Sequence, residues 1–75
     1  MTASDDLRAE LGRVESELSL MHREVHELRT QLRDEGPVDA ADRSAIITQA
    51  EELESFVAQL ERRRQALLEK LGEAS

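Results

Sequence analysis

The chain has 75 residues, of which 36% are charged and 39% apolar, with Phe56 as the single aromatic. That length allows one small domain, and without large aromatic side chains it cannot fill a thick globular core. A net charge of −7 repels phosphate and argues against direct nucleic-acid binding, while the absence of cysteine excludes disulfides and thiolate zinc sites.

Taken in chain order, the first element opens at Ser4, whose hydroxyl suits an N-cap, with Asp5 and Asp6 facing the positive helix end. Leu7, Leu11, Val14, Leu18, Met21, Val25, Leu28 and Leu32 then recur at alternating spacings of four and three. That period of 3.5 residues marks the a and d positions of a coiled-coil helix, and strands would need a period of two. Gly36 can take a left-handed C-cap and Pro37 forbids continuation, so this helix is expected over about residues 4–35 and a Gly-Pro turn over 36–38. Asp39 or Asp42 can cap a second helix over about 39–71. Its seam is Ile46, Ala50, Leu53, Val57, Leu60, Arg64, Leu67 and Leu71, with Lys70 in the last turn and Gly72 as a stop. Arg64 is the one seam position of the sixteen that is not apolar.

A short connection makes the two helices antiparallel neighbours. Placing Leu32 opposite Ile46 generates the layers Leu28–Ala50, Val25–Leu53, Met21–Val57, Leu18–Leu60, Val14–Arg64, Leu11–Leu67 and Leu7–Leu71, without a gap. On the flanks Glu10 is expected to face Lys70, Glu17 to face Arg63, and His22 to face Glu54. Glu15 and Glu61 would repel, and Arg64 between them can pair with both. The fold class is therefore all-α, a two-helix antiparallel coiled-coil hairpin forming a single domain and a rod about 40 Å long. The same layers would also form if two chains exchanged helices.

So thin a seam leaves little burial to offset the entropy of ordering the chain. Self-association into a homodimeric four-helix bundle is expected, with Leu20 and Phe56 at one level on one side and Ile47 and Leu68 on the other as oligomer contacts. No apolar run follows the polar residues Met1 to Asp6 as in a signal peptide, and none is long enough to span a bilayer. A cytoplasmic location without membrane contact is the expectation.

No constellation for catalysis stands out, and no cofactor is implied. His22 and His26 are four apart and could share a metal only with a third ligand, for which Glu54 is the near candidate. Solvated histidines on a polar face are the favoured reading. Arg62, Arg63 and Arg64, with Arg8 and Arg13, could hold an anion, but Glu10, Glu15, Glu17 and Glu61 surround them and internal pairing is expected. The expected role is a non-enzymatic protein-interaction module.

The hairpin tip offers Asp34, Glu35, Asp39, Ala41 and Asp42 as candidate partner contacts. Its run Pro37-Val38-Asp39-Ala40-Ala41 resembles the tip of the DksA/TraR family, which with the Gre family reaches into the RNA polymerase secondary channel. That tip has the pattern Asp-x-x-Asp-x-Ala, and Asp39 and Ala41 match its second half. Gly36 stands where the pattern has its first Asp, and the family's zinc finger has no counterpart in a chain without cysteine. The resemblance implies RNA polymerase as an alternative partner, with the Asp39 carboxylate acting near its active centre.

Overall fold

The computed structural model describes residues 2–34 and 39–74, and these form two helices, α1 (Ala3–Asp34) and α2 (Ala40–Ala74). Helices of 32 and 35 residues are each about 50 Å long at 1.5 Å of rise per residue. The molecule measures 54 × 15 × 14 Å, longer than the roughly 40 Å expected from sequence, a figure too short for helices of this length at 1.5 Å of rise per residue. Glu10, near the start of α1, meets Arg63, late in α2, whereas Arg29 meets Glu54 nearer the bend. The helices therefore run antiparallel within one chain.

Local chemistry places the ends. α1 begins one residue before the expected cap because Thr2 and Asp5 close a reciprocal box. The Asp5 N–H donates to Thr2 Oγ1 at 3.1 Å and the Thr2 N–H donates to Asp5 Oδ2 at 3.3 Å. Two otherwise unpaired helix-start donors are satisfied at once, which leaves Ser4 inside the first turn. At the second start Asp39 is the cap. Its Oδ1 accepts from the Ala41 N–H at 3.4 Å, and its carbonyl accepts from the Arg43 N–H at 2.9 Å. Gly72 does not stop α2, which continues to Ala74. Glycine only weakens a helix interior, and the helix formers Glu73 and Ala74 follow it. The expected cap at Gly36, the break at Pro37 and the candidate contact Glu35 lie outside the described residues.

All sixteen seam positions are buried or half-buried. Val14, Leu18, Val57 and Leu67 form the centre, packed by Leu7, Leu11, Met21 and Leu60. Among the described residues Leu67 is the most enclosed side chain at 1% exposure, and Ala50, expected opposite Leu28, is 2% exposed. Among the described residues no charged side chain is buried, and no helix is long and apolar enough to cross a membrane.

Candidate functional site

In an antiparallel pair the positions beside the seam, e and g, meet their own kind across each flank, and every residue has two possible partners one heptad apart. The ion pairs are consistent with the expected register, but each takes the other partner of its expected pair. His22 Nε2 lies 3.8 Å from Glu61 Oε1 rather than beside Glu54, and Glu54 accepts from Arg29. The physical reason is charge. The expected set brings Glu15 against Glu61, whereas the observed set parts these carboxylates, giving Glu15 the Arg64 guanidinium and Glu61 the His22 imidazole. Arg64, half-buried in the seam, places Nε 3.3 Å from Glu15 Oε2. Among the described residues it pairs with Glu15 and not with Glu61, which turns to His22.

On the opposite flank Arg63 donates to Glu10, and Glu17 is not its partner. That hydrogen bond, with the charges of Arg63, Arg13 and Lys70, holds the Glu10 carboxyl below the usual glutamate range. The arginine cluster is thus engaged with carboxylates of its own chain through Arg63 and Arg64. The histidines do not converge on a third ligand, since Glu54 is held by Arg29. Among the described residues no group of three or more His, Asp or Glu side chains is placed to hold a metal ion.

The tip candidates divide by what they do. Asp39 caps α2 with its carboxylate and is exposed, as are Ala41 and Asp42 in the first turn behind it. Asp34 ends α1, with its Oδ1 3.4 Å from Arg33 Nε.

The apolar candidates separate more sharply. Leu20 is 49% exposed, Phe56 56% and Ile47 37%, and these are the large hydrophobic side chains left open among the described residues. Leu68 is half-buried, sheltered beside the seam. Phe56 occupies the g row of α2 with Arg63, whose bond to Glu10 identifies that flank. Leu20 occupies the adjoining c row of α1. Towards the bend, Glu24, Glu27, Leu28, Gln31, Gln49 and Leu53 line a groove of about 210 Å³ between the helices on this same flank. A second hollow, of about 360 Å³, is lined among the described residues by His26, Glu27, Thr30, Gln31 and Asp34 of α1. The arrangement offers an open apolar spot with an acidic groove beside it. Sequence reasoning located Leu20 and Phe56 but missed the groove, whose polar rim of Glu24, Glu27, Gln31 and Gln49 over Leu28 and Leu53 has no individual signature. No family model, curated protein or solved structure matches the chain.

Proposed function

We propose that the protein is a non-enzymatic interaction module, a rigid acidic rod that engages a protein through the flank carrying Leu20 and Phe56. The observation that supports this reading is the exposure of those two large side chains beside a groove, on a molecule whose a and d seam positions are all buried or half-buried. Exposed aromatic and aliphatic anchors with a polar rim are what protein interfaces use. The test is capture from native lysate by the immobilised full chain, beside a chain carrying Leu20→Glu and Phe56→Glu. Retention of a partner by the first and its loss by the second supports the reading, and equal capture by both overturns it.

The exposed carboxylate of Asp39 at the bend end of the 54 Å rod supports a second reading, a regulator that enters the RNA polymerase secondary channel tip first. Purified polymerase that fails to retain the chain ends that reading.

A further inference from the structure

The g row of α2 reads Asp42, Gln49, Phe56, Arg63 and Lys70, one residue per heptad, and all five are exposed. It is acidic at one end, basic at the other, and aromatic at the midpoint. Reversed about Phe56 the row complements itself: Lys70 comes opposite Asp42, and Arg63 opposite Gln49. The neighbouring c row of α1 behaves alike, because reversal about Leu20 brings Arg13 opposite Glu27. Leu20 and Phe56 sit within two residues of one level in the hairpin register, so a single axis serves both rows.

We infer that two copies of this chain pair antiparallel through this flank, about a two-fold axis passing between Leu20 and Phe56. The four large side chains then cover one another at the centre. Arg13 and Lys70, which make no salt bridge within 4 Å among the described residues, gain the other copy's Glu27 and Asp42. Two like-charge approaches, Glu17 to Glu24 and Asp6 to Asp34 at the ends of the α1 row, oppose this. A parallel pairing is worse, since it gathers Glu24, Glu27, Glu52 and Asp42 of both copies at the bend end, while the cations of those rows, Arg13, Arg63 and Lys70, all lie at the other end.

Area supports the same occupant. A compact monomer of 8.5 kDa exposes about 4,650 Å², whereas this chain exposes 5488 Å². The excess, roughly 800 Å², is what each partner gives up in an interface of standard size. Like-on-like contact about a two-fold axis closes at two copies and leaves no open edge.

The inference rests on the interaction-module reading and names its partner. Sedimentation equilibrium of the full chain should give twice the 8.5 kDa mass. Phe56→Glu should weaken association at least tenfold while the chain stays helical. Lys70→Asp alone should weaken it severalfold, and adding Asp42→Lys in the same chain should restore it. For orientation, chains carrying only Gln49→Cys are mixed with chains carrying only Arg63→Cys and oxidised. The native sequence has no cysteine to compete. The mixed disulfide should exceed both self-linked products. A monomer at every concentration, or preferential self-linking of the Gln49→Cys chain, would overturn the pairing. A monomeric chain that still captures another protein through Leu20 and Phe56 leaves the proposed function standing, while a dimer that captures nothing else does the reverse.

Discussion

Arg64 Nε approaches Glu15 Oε2 to 3.3 Å, so the one charged residue in the seam is neutralised at the edge of the core rather than inside it. The pair is a partly exposed ion pair, which contributes about 0–1 kcal/mol. A leucine in that layer would bury apolar surface worth roughly 1–2 kcal/mol against Val14. Arg64→Leu should therefore raise the thermal midpoint by several degrees, on the scale expected for a domain of this size. A lowered midpoint would show that Arg64 stabilises the hairpin itself.

The centre of the seam should be sensitive to volume in both directions. Leu67 at 1% exposure is fully enclosed, so Leu67→Ala should cost about 2–5 kcal/mol and unfold much of the population. Ala50 at 2% exposure has no room to grow, and Ala50→Leu should cost about 1–3 kcal/mol by overpacking the layer with Leu28. Urea melts followed by circular dichroism measure both. A neutral Ala50→Leu would mean that the helices separate easily at that level.

Glu10 has its carboxyl held low by the Arg63 hydrogen bond, with help from the charges of Arg63, Arg13 and Lys70. A group whose folded pKa is depressed adds stability above its unfolded pKa and loses it as pH falls through the folded value. Glu10→Gln should thus be slightly less stable than the native chain at pH 7. The two should converge only as pH falls below the ordinary glutamate range and through the lowered folded value, where the glutamate takes up its proton. Melts at pH 7 and pH 3 test this, and a difference that widens in acid would contradict it.

Asp39 separates structure from recognition. Asp39→Ala removes the cap and should cost about 1 kcal/mol, whereas Asp39→Asn keeps an accepting oxygen and should be close to neutral. If the carboxylate serves only as a cap, the Asn variant should retain every partner the native chain binds. Selective loss of a partner in a fully stable Asn variant would assign the tip charge a role in binding.

Much of this fold was legible in the sequence because a seam period of 3.5 residues is a property of the whole chain. Leu7 through Leu32 and Ile46 through Leu71 repeat the same signal, and a single misread residue cannot move it. The helix ends were less legible. Ser4 and Thr2 are both competent caps, and only the position of Asp5 three residues after Thr2 decides between them. Flank pairing was harder still, since one register gives His22 a choice of Glu54 or Glu61, and the selection depends on Arg29 and Arg64 as well. The exposure of Leu20 and Phe56 followed from their heptad positions. The half-burial of Leu68 did not, because an e position can lean over the seam or away from it.

The most direct test of the hairpin is a distance between labels at Ser4 and Glu73, both at the open end. Doubly labelled chain is diluted into excess unlabelled chain, so that only distances within one molecule are read. Two helices packed side by side put their axes about 8–10 Å apart, and the labels should report a separation within a few times that. A separation approaching 100 Å, the length of a helix running unbroken through the bend or of a chain whose helices are exchanged with a partner, would contradict the account.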